Sequence, residues 1–239
     1  MNQISKRGLF PWVTLLAGGV GLALRSLLLS AVDQQGLLPE NHFAGILTIV
    51  LLAMFLGFSF WTIRKEPAAD VNAYRKLFPP SELAAIGSVV AAVGMAISAF
   101  MVDGTGILRI LLAITGLLGA TALAYAAYCR KEGMRPSCFL HILVAVHLVI
   151  RVLTCCRQWG SEPQFQIYFF QLLASLFLMI SFYHRAELDA LMGDYRKYLF
   201  FGQAALFCCC LCVTGEDWQF YLSAVLWITT DSCVPPRHE

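Results

Sequence analysis

Two arginines lie inside long apolar stretches of this sequence, where a charged side chain is energetically costly. Arg25 lies eight residues before Asp33, and Arg151 lies five residues before Cys156. An arginine at the centre of a bilayer costs roughly 2.5–3.5 kcal/mol on insertion scales. In one interpretation both guanidiniums reach the lipid headgroups or pair with acids such as Asp33 or Asp103. In the other they converge on an outward-facing cavity that holds an anionic group.

A polar stripe accompanies the second arginine. His147 lies four residues before Arg151, and therefore on the same face of a helix. Such a histidine either lines a cavity or bonds to a neighbouring helix. Gln171 is a further polar residue in an apolar stretch, where glutamine commonly bonds across packed helices. The candidate solute-binding residues are Arg25, Arg151, His147 and Gln171.

The run FCCCLC at 207–212 suggests a metal site, because thiolates bind soft ions. On a helix, Cys208 and Cys212 share a face while Cys209 and Cys210 point elsewhere. Three consecutive cysteines therefore cannot ligate one ion without unwinding the helix, and in an apolar setting cysteine behaves as a small apolar residue. We expect no metal and no cofactor, since the histidines also lack a matching pair on a second span for haem.

Catalytic motifs are missing from the sequence. It contains no HExxH, no GxSxG and no phosphate-cradling glycine loop. No Asp or Glu lies deep in an apolar stretch, which argues against coupling to protons or sodium through buried carboxylates. We expect a protein that is not an enzyme, and an enzyme acting on lipid is the least favoured class.

The elements that must position these residues are membrane helices. Hydrophobic residues make up 59% of the 239 residues and charged residues 13%, against roughly 45–50% and 25% in soluble domains. A helix needs about 20 apolar residues to cross a hydrocarbon core about 30 Å thick. The sequence predicts an all-α integral membrane protein with about eight transmembrane helices, at residues 10–32, 43–63, 82–102, 106–128, 137–156, 165–184, 198–214 and 217–234. The eighth has the shortest apolar run.

Basic residues predict which helix ends face the cytoplasm. Of the 17 lysines and arginines, three lie inside predicted spans and Arg157 lies on one side, while the other 13 lie on the opposite side. This asymmetry predicts an integral protein of the plasma (inner) membrane with both termini in the cytoplasm. A cleaved signal peptide would leave seven spans, but Arg25 interrupts the first apolar run. The net charge of +2, without a basic patch interleaved with aromatics, argues against nucleic acid as a partner.

Two predicted cytoplasmic segments resemble each other. SFWTIRKEPAADVNAYRK at 59–76 aligns with SFYHRAELDALMGDYRKY at 181–198 when one gap follows Thr62. If residues 1–133 and 134–239 form two halves of four spans each, the segments occupy equivalent places in a parallel repeat, as in one class of transporter. The alternative is that the positive-inside rule alone made the two loops alike.

Both segments are expected to form cytoplasmic elbows that lie against the inner leaflet. In the second, Leu188, Leu191, Met192 and Tyr195 recur at helical spacing and predict a short amphipathic helix. Aromatic and basic side chains would anchor the elbows to lipid phosphates. These lipid-contacting candidates are Arg64, Tyr74, Arg75, Lys76, Arg185, Tyr195, Arg196 and Lys197.

These sequence patterns are compatible with two functional hypotheses. The first is a multi-pass membrane protein that binds or transports a small, anionic solute between its two halves. The second is a non-transporting membrane subunit or scaffold that docks a membrane or cytoplasmic protein through its cytoplasmic loops. The lipid bilayer is the partner common to both. A water-accessible cavity lined by Arg25 and Arg151 would favour the first.

Overall fold

The computed structural model describes residues 2–31, 43–65, 74–101, 106–159, 165–215 and 217–233. These ranges contain nine helices and no strand, which confirms the all-α fold class. In chain order the helices are α1 Asn2–Ser30, α2 Phe43–Arg64, α3 Tyr74–Leu77, α4 Glu82–Met101, α5 Ile107–Glu132, α6 Cys138–Trp159, α7 Phe165–Asp189, α8 Tyr195–Cys212 and α9 Trp218–Ser232. α3 is a single turn.

Six of the described helices are long and apolar enough to cross a membrane, namely α1, α2, α4, α5, α6 and α7. The predicted count of eight is therefore wrong, and the two excess helices are α8 and α9. α9 has 15 residues and rises about 22 Å, which is less than the hydrocarbon thickness of about 30 Å. α8 has 18 residues, and Arg196 and Lys197 occupy its first turn.

α8 is the most deeply enclosed helix of the bundle. All residues from 202 to 212, including the four cysteines of the FCCCLC run, are buried. α8 packs against α1, α2, α7 and α9, so these side chains contact protein instead of lipid. Because other helices surround α8, its length does not have to match the thickness of the bilayer.

Small residues let α4 pack closely on α9. Gly94 faces Ser223, and Gly87 faces Thr230. A methyl group added at Gly94 would lie 2.5 Å from the Cβ of Ser223, which is closer than carbon atoms approach without displacement. Lipid tails are as apolar as the side chains, so the hydrophobic effect does not drive helices together in a membrane. Close van der Waals contact of this kind stabilises their association instead.

The predicted halves, 1–133 and 134–239, interleave. α1 and α2 pack on α8, α4 packs on α9, and α5 packs on α6. Every long helix of the first half therefore contacts a helix of the second. The duplication of one half from the other stays a prediction.

The segment between α7 and α8 does not contain the short amphipathic helix predicted for it. α7 continues to Asp189, and α8 begins at Tyr195. Leu191 has φ of 61°, and the N–H groups of Leu191 and Met192 donate back into the last turn of α7, as in a Schellman motif. The apolar spacing misleads because Leu188 belongs to the buried face of a longer helix.

Candidate functional sites at the two ends of the bundle

The helix connections define two ends of the bundle. The basic end is where α2 leads to α4, α5 to α6 and α7 to α8, and the opposite end is where α1 leads to α2, α4 to α5, α6 to α7 and α8 to α9. Each end contains a group of buried charged side chains.

At the basic end, two arginines and two aspartates form a closed network. Arg185 Nη1 lies 3.2 Å from Asp231 Oδ2, and Arg185 Nε lies 3.7 Å from Asp189 Oδ1. Arg130 Nη2 lies 3.2 Å from Asp231 Oδ1. All four side chains are at most 7% exposed. Two positive and two negative charges thus cancel inside the protein, as the high cost of an unpaired buried charge requires.

Three further side chains complete this network. Tyr74 donates a hydrogen bond to Asp189 Oδ1 at 2.9 Å, and Tyr198 donates to Asp231 Oδ2 at 2.6 Å. His141 Nδ1 lies 2.5 Å from Asp189 Oδ2. Burial raises the pKa of Tyr74 above its ordinary value, so its hydroxyl stays protonated and remains a donor. The network joins α3, α5, α6, α7, α8 and α9.

A cavity at the centre of the network is too small for a solute. It is lined by Arg130, His141 and Arg185 among others, and its volume is about 10 Å³, which is room for about one water molecule. Phe78 closes one side, with its ring centroid 3.4 Å from Arg185 Cζ. The arrangement therefore links helices together and holds no space for a ligand larger than water.

The structure divides the residues expected to contact lipid headgroups. Tyr74 and Arg185 are buried in the network, so for these two the expected lipid contact is wrong. Arg185 points inward because it stands one helical turn before its partner Asp189. The exposed candidates are Arg64, Arg75 and Lys197, and the half-buried ones are Tyr195 and Arg196. The side chain of Lys76 lies outside the described part of the chain.

At the opposite end, Arg151 is buried beside the turn between α8 and α9. Its Nη2 donates to Asp217 Oδ2 at 2.8 Å, and its Cζ lies 4.2 Å from the centroid of the Phe220 ring. Arg151 is 1% exposed and the Asp217 side chain 22%. One carboxylate and one aromatic face therefore fix the position of this guanidinium.

Arg25 and Gln171 approach the same turn from α1 and α7. Arg25 is 2% exposed, with its Cζ 5.4 Å from the centroid of the Phe170 ring. Cys212, at the end of α8, is close enough to both Arg25 and Arg151 for electrostatic interaction. The turn also abuts the Gln171 side chain at Gly215. Asp33 and Asp103, the acids expected to pair with these arginines, lie outside the described residues.

His147 occupies a different place from the other three candidates. It is fully buried, and its Nδ1 lies 3.2 Å from Thr115 Oγ1 on α5. This contact matches the interpretation in which the histidine bonds to a neighbouring helix. The structure thus brings Arg25, Arg151 and Gln171 together around one turn, with His147 one helical turn further into the bundle on α6.

The hairpin formed by α8 and α9 ends inside the bundle. Arg151, which binds Asp217, precedes the end of α6 at Trp159 by eight residues, or about 12 Å along the helix. Gln171, which contacts Gly215, follows the start of α7 by six residues, or about 9 Å. The turn therefore lies about 9–12 Å deeper than the ends of α6 and α7.

The sequence pattern does not indicate that Asp189 and Asp231 are buried. Asp189 falls in a predicted cytoplasmic elbow, and Asp231 falls near the end of the span with the shortest apolar run. The spacing of Arg185 and Asp189, four residues apart, was an available signal, because such a pair shares one face of a helix. Within the described ranges, no group of three His, Cys, Asp or Glu side chains could hold a metal ion.

Comparison of the chain with protein families, with curated proteins and with solved structures finds no match.

Proposed function

We propose that this protein binds a small anionic solute at the opposite end of its bundle, directly above the turn between α8 and α9, and transports it between the two halves of the chain. One observation carries the proposal. Two buried arginines, Arg25 on α1 and Arg151 on α6, approach the closed end of a hairpin that stops inside the bundle. The two arginines belong to different halves of the chain.

A hairpin that ends within a membrane protein is a suitable place for a ligand. Non-helical backbone at membrane depth is tolerated only where protein or a water-filled cavity surrounds it. In transporters with discontinuous helices, such helix ends form the site that binds substrate and ions. The described residues of the turn, 213–215 and 217, have this character, because the residues they contact lie about 9–12 Å below the ends of α6 and α7.

Arg151 supplies the hydrogen-bond donors for an anion. A guanidinium carries five N–H donors in a planar fork. Arg151 Nη2 donates to Asp217, and Tyr221 lies beside the same guanidinium with its ring centroid 5.9 Å from Cζ, so the remaining donors face Tyr221 and the turn. The partial exposure of Asp217 leaves a route to the turn from the same end. Gln171 adds an amide beside Gly215, which can orient a polar group.

In this proposal the basic end faces the cytoplasm, as the distribution of lysine and arginine favours. An even number of crossings then keeps both termini on the cytoplasmic side of the plasma membrane. The closed charge network around Asp231 seals the cytoplasmic end while the turn near Arg151 faces outward. The protein would act by binding and moving its solute, without catalysis.

A scaffold that docks a protein partner at the basic end is the second candidate. It is favoured by the exposure of two apolar side chains in the turn between α7 and α8, where Leu191 is 36% and Met192 is 86% exposed. The exposed Lys197 follows this turn, in the first turn of α8. The two candidates differ in which end of the bundle has to be accessible.

Labelling of one engineered cysteine tests the first candidate. Thr214 is exposed in the turn between α8 and α9, so Thr214→Cys should react in intact cells with methanethiosulfonate reagents, measured by peptide mass spectrometry. The sulfonate reagent should react faster than the trimethylammonium reagent, because two buried arginines and one described carboxylate, Asp217, lie around the turn. Arg151→Gln should remove that preference.

Two controls make this experiment decisive. Met54→Cys, on the exposed face of α2 within a span, should stay unlabelled, because lipid covers it. Arg64→Gln, at the basic end, should leave the charge preference at Thr214→Cys unchanged. An unreactive Thr214→Cys, or equal rates for both reagents, contradicts the proposed anion site and leaves the scaffold as the better candidate.

A further inference from the structure

A groove runs along the outer surface of the bundle between α4 and α5, at the basic end. Its floor is formed by short side chains, including Ala85 on α4 and Ala124 and Ala127 on α5. The groove has a volume of about 510 Å³ and is open to the surroundings. It extends over the first nine residues of α4, from Glu82 to Val90, or about 12 Å from the helix end towards the middle of the span.

The groove has opposite charges at its rim. Glu82 lies in the first turn of α4 and Lys131 in the last turn of α5, and both side chains are exposed. Neither forms an ion pair with another residue of the described ranges. Tyr128, 54% exposed, stands one helical turn below Lys131. Tyrosine at this height is typical of the level where lipid headgroups begin.

We propose that the α4–α5 groove binds one membrane phospholipid whose headgroup carries both a phosphate and a primary ammonium, as in phosphatidylethanolamine. Lys131 pairs with the phosphate, and Glu82 accepts a hydrogen bond from the ammonium. One acyl chain lies along the alanines, where it covers apolar surface that two helices leave unfilled. This proposal is independent of the solute site at the other end of the bundle.

The two rim charges set the choice of headgroup. A headgroup with a net negative charge, as in phosphatidylglycerol, satisfies Lys131 but brings no cation to Glu82. A choline headgroup has a cation without an N–H, so it cannot donate to the carboxylate. Of these three headgroups, only ethanolamine combines a phosphate for Lys131 with a primary ammonium for Glu82. An acid at a helix start and a base at a helix end also complement the helix dipoles, a role that would be indifferent to lipid type.

Native mass spectrometry of the full chain, released from micelles containing equal amounts of phosphatidylethanolamine, phosphatidylcholine and phosphatidylglycerol, tests this inference. The wild type should retain phosphatidylethanolamine over each of the others by about fivefold, the upper range for an exposed ion pair. Glu82→Gln should abolish the preference over phosphatidylcholine. Lys131→Gln should weaken retention of all three lipids, because each of them carries the phosphate that Lys131 pairs with.

Two further variants separate the groove from general effects. Ala124→Leu fills the groove from its exposed side without entering the core, and it should lower retention of all three lipids. Glu132→Gln removes an exposed acid next to Lys131 but outside the groove lining, and it should behave as the wild type. Equal retention of the three lipids by the wild type overturns the proposal. So does a preference for phosphatidylglycerol, or a preference that persists in both rim variants.

Discussion

Arg185 on α7 and Asp231 on α9 form a buried ion pair of 3.2 Å although 46 residues separate them in the chain. The second oxygen of the same carboxylate lies 3.2 Å from Arg130 on α5. A single aspartate near the end of α9 thus forms ion pairs with arginines from two other helices. This relationship explains why α9, too short to span a bilayer, is still held firmly at the basic end.

Asp231→Asn should destabilise the protein strongly, because two buried guanidiniums would lose their shared counter-charge. Breaking a buried ion pair by removing one partner costs about 3–5 kcal/mol. We expect a loss of about 3 kcal/mol in the free energy of unfolding, measured by chemical denaturation in detergent micelles. Glu132→Gln, which neutralises an exposed acid at the same end, should change stability by less than about 0.5 kcal/mol. A loss below about 1 kcal/mol for Asp231→Asn would show that the network contributes little.

Gly94→Ala should weaken the packing of α4 on α9. The added methyl group would meet the Ser223 Cβ, which the helix backbone holds in place. Overpacking of this kind costs about 1–3 kcal/mol, and the loss should appear in the same unfolding experiment. The matched control is Gly57→Ala on α2, where a Cβ meets no atom within 4 Å. That variant should be neutral or slightly stabilising, since alanine favours a helix by about 1 kcal/mol over glycine. If both variants behave alike, close packing at Gly94 does not determine stability.

Leu191→Gly should stabilise the protein, which is unusual for a substitution that removes a whole side chain. Leu191 has φ of 61°, a conformation that costs a non-glycine residue about 1–2 kcal/mol. Glycine removes this strain but loses more entropy on folding, so we expect a net gain of about 0.5–1 kcal/mol. Met192→Gly, at the neighbouring exposed position, relieves no positive φ and should bring no gain. A destabilised Leu191→Gly would mean that the leucine side chain contributes contacts worth more than its strain.

Part of the fold follows from residues close together in the chain. The length and apolar character of α1, α2, α4, α5, α6 and α7 are local properties, because a bilayer imposes the same requirement on every span. The sequence therefore predicted these six helices, the all-α class and the two arginines that apolar stretches must accommodate. Arg25 and Arg151 were recognisable because charge inside a span is costly wherever it occurs.

The tertiary structure alone decided which apolar helices meet lipid and which meet protein. α8 and α9 look like spans in the sequence because cysteine, leucine and phenylalanine are apolar in either surrounding, yet α8 lies in the interior of the bundle. The same holds for the charges. The sequence alone predicts that Arg185 is a membrane anchor. In the structure, Asp189 on the same helix and Asp231 and Tyr74 on other helices contact it. Burial, and the ion pairs of Asp231 with Arg185 and Arg130, depend on distances between residues remote in the chain, and no local pattern of residue types encodes those distances.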